Sequence, residues 1–245
     1  MSKYVLLWLE APLQSWGFNS RFGRRETCDF PTKSGLIGLV CCAMGAGGAQ
    51  TELLAEFRGL DLCVNAYEKE KKTGRDTPGQ LEDFQMVGSG YDDSDKWQNL
   101  MIPKKDDGKK PVGSGVKLTY RYYLQDKAFA AALEVPQSRA EEIAAALVNP
   151  VWSIYLGRKC CVPTEQVFQG AYSTQQEALS YAEKLAKKKE LSRIFTVKDG
   201  EFEDEGEIFS LSDVPLSFGE TKRYESRYVT VIRNAAGSEN EQDLS

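Results

Sequence analysis

The chain has 245 residues, 41% hydrophobic and 27% charged, the balance of a soluble globular protein with one large domain or two small ones; disorder as its main state is excluded. Its net charge of −5 is unevenly placed, because residues 199–213 hold seven acids and 239–243 hold three, with no Lys or Arg in either stretch. The rest of the chain carries +5, so the acidic total is compatible with a nucleic-acid partner. Histidine is absent altogether, which removes Ser-His-Asp and Cys-His triads, His-ligated zinc and imidazole proton shuttles. The six cysteines form no CxxC pair, and the adjacent pairs Cys41, Cys42 and Cys160, Cys161 are poorly placed for a bridge or a tetrahedral metal site. Reduced thiols, no metal, no cofactor, no membrane and a cytoplasmic location are the expectation.

In chain order, residues 3–10 are apolar on both alternating faces and read as a central strand. After Pro31, Thr32 or Ser34 can cap a helix that runs to Met44 and stops at Gly45, Gly47 and Gly48; Gly35 and Gly38 would let it lie close to another backbone. A short helix over 51–57 and a strand over 60–67 follow. Residues 69–117 turn to Lys, Asp, Gly and Pro and read as a long excursion between strands. Two short strands with a turn near Gln125, Asp126 and Lys127 come next. Ser138 and Glu141 then open a helix that Asn149 and Pro150 stop, and a last strand falls near 152–156. This order gives an α+β fold with a ferredoxin-like (RRM-like) βαββαβ domain over 1–160. Beyond it, a Thr174/Glu177 capping box starts a helix to about Lys189. A small β-rich C-terminal part built from 194–198, 207–211 and 227–233 completes 161–235, and 236–245 forms a flexible tail.

Arg21, Arg24, Arg25 and Lys33 lie in the loop between the first strand and the first helix, beside a helix N-terminus that favours phosphate. Trp16, Phe18 and Phe22 are interleaved with them, as base-stacking residues would be. By composition alone a solvated surface loop and an RNA contact are equally good readings. Residues 104–127 are net +4, with Lys104, Lys105, Lys109 and Lys110 among the cations; a basic hairpin clamping RNA is one reading, and a lysine-rich flexible loop is the commoner outcome. Tyr120 and Tyr122 could stack on bases from an exposed sheet face, although burial is the plainer expectation. Arg158 and Lys159 follow Gly157 at a turn and present two cations. No carboxylate pair has the apolar setting that acid–base catalysis needs, and no P-loop spacing is present.

Three segments carry a resemblance. They are APLQSWG (11–17) with the arginine-bearing stretch to Thr27 and FPTKSGLIGL (30–39); PVWSIYLGRKCC (150–161) followed by Gly170; and Ser226, Arg227 and Tyr228 at the start of the final strand. The chain resembles the CasD-type (Cas-five) family of type I-E CRISPR Cascade subunits over residues 3 to about 233. The resemblance implies a non-catalytic protein that caps the 5′ handle of CRISPR RNA. It also implies contact with the large and backbone subunits, and engagement of target DNA only through the assembled complex. It implies a long β-hairpin thumb at about 69–117, with Met86, Val87, Lys104, Lys105, Lys109 and Lys110 as thumb candidates. The implied RNA contacts are Gln14, Ser15, Trp16, Arg21, Arg24, Arg25, Lys33 and Ser34 in the loop 14–34, joined by Arg158, Lys159 and Arg227. The rival implication is a metal-independent endoribonuclease of the type I-C kind; that activity uses a Tyr, Lys and His set, and no imidazole is available here.

Overall fold

The structure is a computed structural model that describes residues 3–17, 23–69, 79–87 and 117–234. Its frame is a mostly antiparallel sheet, and the first strand shows why. In β1 (Lys3–Gln14), Val5, Leu7 and Leu9 point to one face while Leu6 and Trp8 point to the other, and all five are fully buried. A strand apolar on both faces needs a covering layer on each side. The helices α1 (Lys33–Met44) and α3 (Ala140–Val148) pack with the first set, and α4 (Gln175–Lys188) covers the second.

The remaining elements in chain order are β2 (Trp16–Gly17), β3 (Arg24–Arg25), β4 (Thr27–Cys28), α2 (Thr51–Glu56), β5 (Leu62–Lys69) and β6 (Gln80–Val87). They continue with β7 (Lys117–Val135), β8 (Phe168–Tyr172), β9 (Leu191–Asp199), β10 (Glu207–Ser217) and β11 (Arg223–Arg233). Hydrogen-bonded neighbours run β10-β11-β9-β5-β7-β1-β8, with β6 antiparallel and β3 parallel against the first part of β7. The strands of the C-terminal third therefore extend the same sheet through β9 on β5.

Two helix starts follow from local chemistry. Thr32 caps α1, its Oγ1 accepting from the Gly35 N–H, and Gly45 ends the helix at φ 70°. At α4 the expected capping box is present, with Thr174 accepting from the Glu177 N–H while Glu177 reaches back to the Thr174 N–H. Ser138, by contrast, does not cap α3: it sits in a 3-10 turn (Gln137–Arg139), and Arg139 next to it is drawn to Glu56 and Glu142 instead.

Small residues set the spacing of α4. Ala178, Ala182 and Ala186 form an i, i+4 stripe that meets Ala128, Ala130 and Ala132 of β7, with Trp8 and Tyr67 filling the ends, their rings 5.5 Å apart.

Three other expectations are corrected. No turn breaks 125–127: Asp126 takes a positive φ of 49°, yet β7 continues for 19 residues because β1 pairs with it across this stretch, from Ala11↔Lys127 to Gln14↔Leu124. Residues 152–156 are not a strand. The segment is tied to α1 by the Val151 N–H on the Ala43 carbonyl and turns back on itself with the Leu156 N–H on the Cys161 carbonyl, and the last strand against β1 is β8 instead. Finally, Gly35 makes room for the Trp16 ring, and Gly38 faces the Phe218 ring; neither meets another backbone.

Candidate nucleic-acid interface

The two long signature segments meet at the end of β1. Gly157 has φ +98°, and a Cβ there would fall on the Ser15 carbonyl, so only glycine fits. The Ser15 N–H donates to the Leu156 carbonyl at 3.1 Å. Gln14 is fully buried: its Nε2 donates to the carbonyls of Leu9 (3.1 Å) and Lys127 (2.7 Å), and its Oε1 accepts from the Trp16 indole N–H at 3.2 Å. The Trp16 N–H donates to Thr27 Oγ1 at 2.8 Å, which closes the β2–β4 pair. Gln14 and Trp16 thus build the wall of the site from inside: the Gln14 amide is spent on two backbone carbonyls and the indole N–H, and the nearly buried Trp16 ring borders the groove described below.

A second buried assembly takes the start of α1. The Lys33 N–H donates to Asp213 Oδ2 at 2.7 Å, so a carboxylate from β10 already occupies the helix N-terminus expected to bind phosphate. Arg227 forks onto that carboxylate, with Nε to Oδ1 at 2.7 Å and Nη2 to Oδ2 at 2.8 Å, and also pairs with Asp199. The Lys33 ammonium donates to the Leu60 carbonyl and to Asp199 at 3.0 Å. Burial is the main influence on each group: it pushes Lys33 down to about 8, with Arg227 adding to the effect, and Asp213 up to about 6. Lys33 and Arg227 are accordingly engaged with Asp199 and Asp213 in a four-charge network inside the fold.

What stays open lies between these assemblies. A groove of about 770 Å³ runs past Arg25, Glu26, Ser34, Arg158, Ser210, Ser212, Lys222 and Tyr224, with Trp16, Gly157 and Phe218 as its floor and sides. Arg25 and Lys222 are exposed. Arg158 is half-buried and held on three sides, with Nη2 on the Arg25 carbonyl (2.8 Å), Nη1 on the Tyr122 carbonyl (3.2 Å) and the Tyr123 ring 4.5 Å away. Three cations, serine hydroxyls and a tyrosine 41% exposed form a surface able to hold a phosphodiester backbone and a splayed base. Lys222 and Tyr224 had no sequence signal pointing to them, since they reach the groove only because β10 and β11 fold back over it.

Neighbouring residues diverge. Arg25 lines the groove, but Arg24 extends over the root of the β6–β7 hairpin, its guanidinium 5.5 Å from the Tyr122 ring and donating to the Tyr122 hydroxyl at 2.5 Å. Tyr120 and Tyr122 are half-buried under that arginine, opposite Phe84 and Glu82 of β6. Met86 is 54% exposed on the same hairpin, and Val87 ends β6. Lys159 is exposed beside Arg158 without lining the groove. Arg21, Lys104, Lys105, Lys109 and Lys110 lie outside the described residues. No helix among the described residues is long and apolar enough to cross a membrane.

Known proteins share this architecture. Residues 4–231 match the family described as CRISPR-associated protein (Cas_Cas5). The CRISPR system Cascade subunit CasD of Escherichia coli (strain K12) is 28% identical over 188 residues, spanning 74% of this chain and 78% of that one. A chain of a solved CRISPR RNA-guided surveillance complex is 27% identical, with a TM-score of 0.69 over 94% of this chain and 90% of its own. A solved Cas protein is 25% identical, with a TM-score of 0.57 over 94% of both chains. With its β1 end, α1 start and 150–161 segment joined around one groove and 228 of its residues inside the family match, the chain belongs to the CRISPR-associated Cas5 family.

Proposed function

We propose that the chain is the CasD-type Cascade subunit that caps the 5′ handle of CRISPR RNA, without catalysing a reaction, and joins the large and backbone subunits. Target DNA is engaged only through the assembled complex. The observation that carries this reading is the groove itself: Arg25, Arg158 and Lys222 converge on one channel bordered by Trp16 and Gly157, within the stretch that matches the Cas5 family. Arg158 is pre-ordered by its carbonyl contacts, so little side-chain freedom is lost when a phosphate arrives. The relatives support the same reading, one being named a Cascade subunit and another belonging to an RNA-guided complex.

The order β5-β7-β1-β8, with α1 and α3 on one face, supports the ferredoxin-like reading of the first part of the chain, and the pairing of β6 with β7 supports the inserted thumb. Filter binding with a 5′ repeat RNA, a scrambled RNA of equal length and the matching DNA tests the function. Preference for the repeat RNA is expected, and equal binding of all three overturns handle recognition. Incubation of the same labelled RNA leaves it intact; a discrete cut would replace the binding subunit with a nuclease.

A further inference from the structure

We infer that the apolar cleft at the root of the β6–β7 hairpin is a docking site for a partner polypeptide, which inserts a bulky apolar side chain with a carboxylate beside it. The cleft encloses about 590 Å³ and is walled by Phe30, Phe129, Phe195, Phe209, Leu211 and Val231. It is separate from the groove, which lies beyond the 25–30 segment, and the proposed handle contacts use none of its side chains. Most of its wall belongs to the core, but Phe209 on β10 is 43% exposed, an apolar lip with nothing packed over it among the described residues.

The rim decides the occupant. Lys127 pairs with Glu68 and also feels the charge of Asp29, to which the neutral Gln80 amide donates at 3.0 Å, so both rim carboxylates are gathered around Lys127. Arg233 remains exposed, with no ion-pair partner among the described residues, and it supplies the positive charge that an incoming carboxylate would meet. A nucleobase suits this site less well, because it would carry several donors and acceptors into an aromatic and aliphatic wall that offers them few partners. An aliphatic or aromatic side chain needs none, and it would bury the Phe209 ring as a central anchor of an interface.

The inference rests on the Cascade-subunit reading for its source of partner, a protein of the same complex. The test coexpresses the chain with the other subunits and follows its incorporation by size exclusion, while handle-RNA binding is measured on the isolated chain. Phe209→Ala/Arg233→Glu is expected to keep RNA affinity within about twofold and to lower incorporation by at least about tenfold. Arg233→Glu alone, which leaves the apolar wall intact, is expected to fall between the two. Normal incorporation of the double variant overturns the proposal. So does a loss of RNA affinity that parallels the loss of incorporation, which would make the cleft part of the RNA path. If the unaltered chain binds no handle RNA while the variants still drop out of the complex, the handle reading fails and the docking site stands.

Discussion

Lys33 keeps 4% of its side-chain surface exposed, and burial first, then Arg227, hold its ammonium down to about 8 against 10.5 for an ordinary lysine. Between those values the unfolded chain binds a proton that the folded chain does not, so stability from this group is absent at pH 8 and below and grows as pH rises to 10.5. The stability difference between the unaltered chain and Lys33→Met should therefore climb by about 3 kcal/mol over that window, read from urea unfolding at successive pH values. Arg227 and Arg25 separate the two kinds of cation. Arg227→Ala strands Asp213 in the interior and should cost roughly 3 kcal/mol or more in the same assay. Arg25→Ala/Lys222→Ala should leave stability unchanged and flatten the salt dependence of RNA binding by about 1.4 log units per log salt, ~0.7 for each single-strand phosphate contact. An unchanged slope would make both residues ordinary solvated charges. The charge of the 14–34 loop was legible in sequence, but the fate of each residue was not. Gln14 finds its acceptor 113 positions away at Lys127, and Lys33 finds its carboxylate 166 positions away at Asp199, separations at which local pattern carries no information.

Among elements, those governed by short-range chemistry were readable: β1 from its doubly apolar alternation, α1 from Thr32 and the closing glycines, and α4 from its capping box. Thr174→Ala should accordingly cost about 1 kcal/mol, measured by thermal unfolding. Elements decided by pairing were not readable. A turn-like Gln125, Asp126 and Lys127 is overruled by the β1 ladder, and β8, short and holding Gly170 at φ +122°, has a weaker strand pattern than the more apolar 152–156. The 150–161 segment does something a strand could not, since its turns bring the Gly157 backbone onto the Ser15 carbonyl. Gly157→Ala combines a disfavoured φ with a backbone clash and should either prevent folding or cost several kcal/mol, on the order of 2–4. Circular dichroism with urea titration distinguishes these from a silent change, which would mean the two segments are not in contact.

For the molecule as a whole, the sheet runs without a break from β10 to β8, and the network of Lys33, Arg227, Asp199 and Asp213 ties the start of α1 to β9, β10 and β11. One cooperative unfolding transition is the expected outcome, with fluorescence and circular dichroism coincident; two separated transitions would mean that the C-terminal strands form an independent unit. The strand β7 also has a mechanical consequence. Nineteen residues at ~3.3 Å each make a beam about 60 Å long. One end is gripped by β1 and β5, and the other carries the β6 arm. A pull along the beam loads the rungs between β1 and β7 together, in shear, whereas a sideways push strains them one after another, as in opening a zip. The arm's anchorage is thus strong against a pull along its own axis and yields, rung by rung, to a load across it.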